Sequence, residues 1–449
     1  YSMTNINWSS GSTSDILILE LSYRNIDQHA DGSFSFDIES TLLGTSVNYN
    51  VPIPTMNGSG TQADPFILTT AAHLRELWYD GSAYYKLGND IDASDSLNWN
   101  NGEGLLPPFG DTASFVGEFD GDGYKISNLT MINDRYRYFG LVQGYTDANT
   151  GTIKNLILNN LTMTNNYSVG SNGSYTGAFA AFNVYNSLTI NNCKLENSNL
   201  TVNDEGGGNL YLGGLVAFTY YPYATVSNSM NQCSAVGNSF KIVSGGNGII
   251  AGITRLQVDS DTSHSYSFTL NDCYSYNNTF DVSAVDDIFV AGLSRIVYAD
   301  NANYVRCYSS NLTVTLTGGV NSYIDACIDV NTATPAATPT ISDCFYCVDN
   351  NINANATDGG IQLTDAQMQD SSNFTNWDFV NVWNNDATIN GGYPFLRTHI
   401  NLISGPTITI QSYTLDKISD EVGYQTSAVT FQSDQDLLEW EARADGTGH

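Results

Sequence analysis

The sequence predicts an all-β chain: a parallel β-helix of ~38-residue coils, flanked by small β modules. Three observations carry this. One apolar phrase recurs along the chain, and a glycine phrase recurs between its copies at the same spacing. The residues between them alternate polar and apolar in runs too short for helices.

The first phrase is an apolar residue, two polar residues, Cys or Leu, then another apolar position. It reads Ile153-Lys-Asn-Leu156-Ile-Leu158, then Ile190-Asn-Asn-Cys193-Lys-Leu195, with further copies centred on Cys233, Cys273, Cys307 and Cys344. From Leu156 to Cys344 the steps are 37, 40, 40, 34 and 37 residues. Short alternating strands follow, such as Leu200-Thr-Val202 and Phe280-Asp-Val282. The glycine phrase begins at Gly140, Gly177, Gly214, Gly252 and Gly292, with steps of 37, 37, 38 and 40. Each repeat therefore holds three apolar stretches, read as three strands. Equivalent strands of neighbouring coils stack about 4.8 Å apart. Aliphatic, Cys and Tyr ladders then fill the interior, and Asn-rich turns run down the corners.

Composition agrees. The 449 residues include 50 Asn, 40 Gly and 28 Tyr, but only 14% are charged. The net charge is −31, from 15 Lys and Arg against 46 Asp and Glu. So few cations supply no basic face, which excludes nucleic acid as a partner and argues against other polyanions such as uronate polymers. An aromatic content of 12% and a hydrophobic content of 41% exclude a disordered acidic tail. No apolar run reaches the ~18 residues of a membrane helix, so membrane insertion is not expected.

The segment from Gly58 through Pro65, then Leu74, Leu77, Tyr85-Lys-Leu87 and Asn89-Asp-Ile-Asp92, resembles the opening of GLUG-repeat proteins. Phe115-Val-Gly-Glu-Phe-Asp120-Gly-Asp-Gly and Gly140-Leu-Val continue the resemblance. Trp377, Trp383 and Gly392-Tyr-Pro-Phe-Leu396 match the close of such arrays. The resemblance covers about residues 54–397 and implies a right-handed β-helix of surface, adhesin-like and phage-encoded proteins, without an established catalytic motif. Residues 1–53, with Asp15-Ile-Leu-Ile-Leu and Ser33-Phe-Ser-Phe, read as an N-terminal β module or cap. Residues 401–449, from Pro406-Thr-Ile-Thr-Ile to Trp440 and His449, resemble the Ig-like modules of phage tail proteins, in an incomplete copy.

Five cysteines at one phase read as a buried thiol ladder, since free Cys behaves as a small hydrophobe. Cys344-Phe-Tyr-Cys347 lacks a second pair to complete a zinc site. Glu118-Phe-Asp120-Gly-Asp122-Gly123 imitates a calcium loop, but its twelfth position is Leu129 where Glu is needed. No metal and no cofactor are expected. Acid groups at Asp281, Asp286 and Asp287, and at Asp259 and Asp261, would suit a glycosidase only as a pair about 5–9 Å apart. The cations near them are Arg255, Arg295 and Arg306, and His29, His73, His264, His399 and His449 are scattered. No catalytic residue is assigned.

Tyr220, Tyr221 and Tyr223 form a loop cluster outside the repeat phrases and are the candidate ligand-binding residues. Exposed aromatics stack on sugar rings while neighbouring amides read hydroxyls. The expected function is a non-enzymatic virion protein of the phage tail or appendage, a rigid spacer that binds a host surface or glycan. The alternatives are a cell-surface adhesin or extracellular filament protein, and a polysaccharide-degrading enzyme. Expected partners are a host cell surface or polysaccharide and other virion or surface subunits, with homo-oligomer formation left open. The expected location is a virion or the extracellular surface.

Overall fold

The computed structural model describes residues 33–40, 45–52, 56–76, 81–105, 115–134, 137–144, 150–167, 173–184, 187–204, 206–220, 226–258, 266–297, 301–331, 339–347, 359–399, 408–417 and 424–433. The chain divides into two compact units, Tyr1–Leu396 and Arg397–His449. In the first, five parallel sheets run side by side as a β-solenoid. Two sheets have nine strands and three have six, so five turns separate the first and last complete coils.

One coil shows the plan. Its five strands are Ser187–Asn191, Lys194–Glu196, Asn199–Asp204, Leu210–Gly213 and Val216–Tyr220. The expectation of three strands is thus corrected to five, because two of the three apolar stretches bend. In Ile190-Asn-Asn-Cys193-Lys-Leu195 the chain turns at Asn192, whose φ is 54°. The glycine phrase also bends between the fourth and fifth strands, but without a left-handed φ.

The first bend recurs at Asn155, Asn192, Gln232, Asp272, Arg306 and Asp343, with φ of 51–54°. A second bend follows each second strand, at Asn128, Asn160, Asn197, Gly237, Asn277 and Asn311. Left-handed φ favours Gly and Asn, whose short side chain bonds locally. The amides also bond from coil to coil. Asn192 donates to Asn155 Oδ1 at 3.0 Å, Asn160 to Asn128 Oδ1 at 2.7 Å, and Asn311 to Asn277 Oδ1 at 2.8 Å.

Inside, like stacks on like. Phe119, Ile153, Ile190, Met230, Leu270, Tyr304 and Ile341 form one in-register column of the first sheet. Met131, Met163, Leu200, Phe240 and Phe280 form another, and each is at most 1% exposed. Full burial of each such side chain stabilises by about 1.5–3 kcal/mol. The glycine phrase holds a one-residue shift that the sequence spacing hides. Gly177 pairs with Gly213, which pairs with Ala251, so Gly214, Gly252 and Gly292 sit one step later than Gly140 and Gly177. Both steps belong to one tight corner. A Cβ on Gly177 would meet the Ala180 carbonyl oxygen at 2.4 Å, and one on Gly214 the Gly252 carbonyl oxygen at 2.0 Å.

The outward column of the second sheet changes character along the solenoid. It runs Lys125, Ile157, Lys194, Ser234, Tyr274, Tyr308 and Phe345. Its aromatic end is covered by residues 359–396 folding back along the flank. Trp377 and Trp383 lie 4.2 Å apart by ring centroids, and Trp383 packs on Tyr274 at 5.9 Å. Arg306 clamps Asp272 through Nε at 2.7 Å and Nη2 at 2.8 Å, and Trp383 Nε1 donates to the same carboxylate at 3.0 Å. The described hairpins are separate antiparallel pairs: Ser33–Ser40 with Thr45–Pro52, and Ile408–Lys417 with Tyr424–Ser433. The expected strand at Asp15 and the segment at Pro406 lie outside the described residues, as does Trp440.

A bulky residue at the glycine corner should break the coil. Gly292→Val would place Cβ 2.1 Å from the Ala326 carbonyl oxygen and 2.3 Å from Ser309 Oγ. Urea denaturation should show a loss of about 3 kcal/mol or more. Gly123→Ala meets no atom within 4 Å at φ 84°, and should cost only about 1–2 kcal/mol.

Candidate functional site

The cysteine column lies inside. Cys193, Cys233, Cys273, Cys307 and Cys344 are buried free thiols, as are Cys327 and Cys347. Four thiols of the column reach a carbonyl one coil back: Cys193 to Ile153 at 3.8 Å, Cys233 to Ile190 at 3.6 Å, Cys273 to Met230 at 3.6 Å and Cys307 to Leu270 at 3.5 Å. Burial pushes the Cys193, Cys273 and Cys327 thiols up. At Cys307 burial also favours the thiol, while hydrogen bonds from Cys273 and Cys344 favour a thiolate. A lone anion in this dry interior costs more than two S–H donors return, so we assign a neutral thiol to Cys307.

The calcium-like turn is occupied by cations of the chain itself. Lys154 Nζ lies 2.8 Å from Glu118 and 3.4 Å from Asp120, and Lys86 lies 2.9 Å from Asp122. Asp122 and Gly123 take left-handed φ of 51° and 84°, the strand–turn geometry that Asp-Gly supplies. Among the described residues no group of three or more His, Cys, Asp or Glu is placed to hold a metal.

Asp281 bonds Lys241 at 3.0 Å, and Asp287 accepts from the Asn321 side chain at 2.9 Å. Asp259 and Asp261 lie outside the described residues, as do His29, His264 and His449. His73 Nδ1 accepts from the Thr69 amide at 3.0 Å. Tyr220 ends the fifth strand of its coil, between Val184 and Val258. Tyr221 and Tyr223 lie outside the described residues.

Sequence reasoning missed a different aromatic column. The outward positions of the fourth strands are Tyr138, Tyr175, Tyr211, Ile249, Phe289 and Tyr323. Tyr138 and Tyr175 stack at 5.3 Å, Tyr175 and Tyr211 at 4.5 Å, and Phe289 and Tyr323 at 4.9 Å with planes 10° apart. Opposite, on the fifth strands, stand Ala181, Ala217, Arg255, Arg295 and Asp329. These two columns meet, so the outer corner between the sheets is a second apolar cluster, apart from the main interior.

The small alanines leave room for tyrosine rings, and then arginines take over. The Arg255 guanidinium carbon lies 3.8 Å from the Tyr211 ring centroid, and that of Arg295 lies 3.9 Å from the Phe289 centroid. Arg295 also pairs with Asp329, both buried. Burial pulls Arg255 down while Tyr175 and Tyr211 pull it back up; it stays a cation, as guanidinium does in proteins. The column opens to solvent only at its end, where Tyr323 is 41% exposed against 3% for Tyr138 and Tyr175. Its signal was present in the sequence, two residues before each of the first two phrase glycines, at Tyr138 and Tyr175.

No family model matches the chain. Over 135 residues it is 35% identical to halomucin of Haloquadratum walsbyi, a stretch that is 28% of this chain and 2% of that protein. Over 104 residues it is 36% identical to a protein of Evansella cellulosilytica described as a Gly-rich membrane protein, 22% of this chain and 12% of that one. The chain thus matches only a small part of either relative's length. Among solved structures, an IgA1 protease aligns with 74% of this chain and 24% of its own, at 14% identity and a TM-score of 0.35. A score that low carries no argument.

The buried acids set a pH limit. Burial pushes the Tyr304 and Tyr308 phenols up, along with the thiols of Cys193 and Cys273. In the unfolded chain thiols titrate near about 8.5 and phenols near about 10. Above those values the unfolded state holds fewer protons than the native state, so stability falls as pH rises. The stability present below about pH 8.5 should be lost progressively on going alkaline. The tyrosinate absorbance of the buried phenols should appear only together with loss of the β signal, after that of exposed tyrosines such as Tyr323, and native protein at pH 7 should not react with a thiol reagent.

Proposed function

We propose that this chain is a non-enzymatic β-solenoid segment of a long cell-surface protein, acting as a stiff spacer that carries binding loops outward. The observation that supports it best is the in-register stacking of the five sheets. Each coil repeats the contacts of its neighbour, so length can be added without a new kind of core. Backbone bonds and buried columns run the whole way, which resists bending.

The relatives support the same reading. Both matches are short stretches within far longer proteins, one a halomucin and one described as a membrane protein. They favour the cellular alternative over the virion one, for which the argument is the resemblance of residues 401–449 to phage tail modules. The resemblance to GLUG-repeat proteins fits either reading. A charge of −31 keeps such a surface solvated and repels polyanions. Sugar binding would fall to aromatics: Tyr220, Tyr221 and Tyr223 remain the sequence candidates, and the structure adds the exposed Tyr323.

Antibodies to the solenoid should label intact cells of the source organism, and protease added to those cells should remove the signal. Label confined to cell interiors or to virus particles would overturn the cellular reading. Incubation with acidic and neutral glycans should yield no new reducing ends or unsaturated products; turnover of any of them would sink the non-enzymatic one.

A further inference from the structure

We propose that Asn277 is a modification site, whose side-chain amide carries an N-linked glycan. The chain reads Asn277-Asn-Thr279, and Asn-X-Thr is the acceptor tripeptide for such transfer when X is not proline. Asn277 forms the second bend of its coil, with a φ of 55°. Asn277 and Thr279 are both exposed, while Asn278 between them turns inward and is buried. The acceptor amide and the hydroxyl two residues on are thus both presented to solvent.

The same tripeptide stands at three other second bends: Asn128-Leu-Thr130, Asn160-Leu-Thr162 and Asn311-Leu-Thr313. There the fold already employs the amide. Asn128 Nδ2 donates to Asp92 Oδ1 at 2.8 Å, Asn160 Nδ2 to Asn128 Oδ1 at 2.7 Å, and Asn311 Nδ2 to Asn277 Oδ1 at 2.8 Å. Each of these donors reaches one coil back. One coil back from Asn277 stands Gly237, which has no side chain to accept. Among the described residues Asn277 Nδ2 donates to nothing, while its Oδ1 is held by Asn311. Thr130 is also buried, which sets Asn128 further apart from Asn277.

The glycine leaves room as well. A Cβ on Gly237 would meet only Asn197 Oδ1, at 3.2 Å. The next side chain back along the column is therefore two coils away, about 10 Å, which seats a sugar ring against the solenoid. The strands on both sides fix these neighbours in register: Ser234–Val236 and Ser239–Ser244 before Asn277, Tyr308–Ser310 and Thr313–Gly318 after it. The transfer itself is a substitution at the anomeric carbon of a sugar carried on a lipid-linked phosphate. Asn277 Nδ2 bonds to that carbon, the carbon–oxygen bond to the phosphate breaks, and the phosphate leaves with the electron pair. One amide proton passes to the base of the cell's transferase, and Nδ2 keeps the other. The bond from Asn311 survives, because it uses Oδ1. This inference rests on the cell-surface reading above, since the acceptor tripeptide is used in exported chains.

The test is mass spectrometry of the full chain isolated from its source cells. The peptide that holds Asn277 should carry sugar mass, and electron-transfer fragmentation should place it on that residue. Asn277→Gln and Thr279→Ala should each abolish the added mass, and Thr279→Ser should retain it. Glutamine suits the bend, since Gln232 takes a φ of 52° at a first bend. Circular dichroism checks the fold of each variant, and Thr279→Ala decides if Asn277→Gln does not fold. An Asn277 without sugar overturns the proposal wherever the chain is found. Antibody labelling of the same cells then separates the two statements: label at the surface leaves the cell-surface reading standing, and label confined to the interior removes both.

Discussion

The structure depends on one constraint: every coil must bend at the same places, so that its strands lie over those of the coil before. The bends at Asn192 and Asn197 and their equivalents take left-handed φ, and they fall next to residues that turn inward. After the first bend the inward residue is Leu156 or a column cysteine. After the second it is Leu129, Leu161, Ser198, Asn238, Asn278 or Leu312, all buried. If one bend slipped by a residue, the following strand would turn its apolar face to water. Register and core are thus one requirement.

That requirement organises the polar parts too. Buried Asn238 bonds Asn278 and the Leu195 carbonyl, so an amide can replace a leucine in the column because its neighbours satisfy it. Arg306 sits at a bend and still joins the ladder, since its guanidinium reaches Asp272. Trp383 then uses that carboxylate to fasten the flanking segment to the coils. The aromatic change in the outward column, from Lys194 to Tyr274 and Tyr308, marks where that segment lies.

Much of this was legible in the sequence, because stacking forces like residues to one phase. The cysteine column and the Asn-rich corners were read from spacing alone. The strand count was not, since apolar pattern does not reveal a bend that keeps the pattern going, as at Asn192. The glycine shift was hidden because Gly177 and Gly214 serve one corner from adjacent positions. The outer tyrosine column escaped for a different reason. Outward residues are expected to be polar and variable, and only the meeting of two sheets at a concave corner makes Tyr175 and Tyr211 buried neighbours of Ala181 and Ala217.

The central claim, that left-handed bends at fixed positions hold the coils in register, is tested most directly at Asn197. Its φ is 52°, and Gly237 holds the same place one coil on, with φ 67°. Thermal and urea unfolding of Asn197→Gly and Asn197→Val compare the two. The account predicts a small change for glycine and a loss of about 1–2 kcal/mol or more for valine, which is strained at that φ. Equal effects of the two substitutions, or a valine variant as stable as the parent, would contradict it.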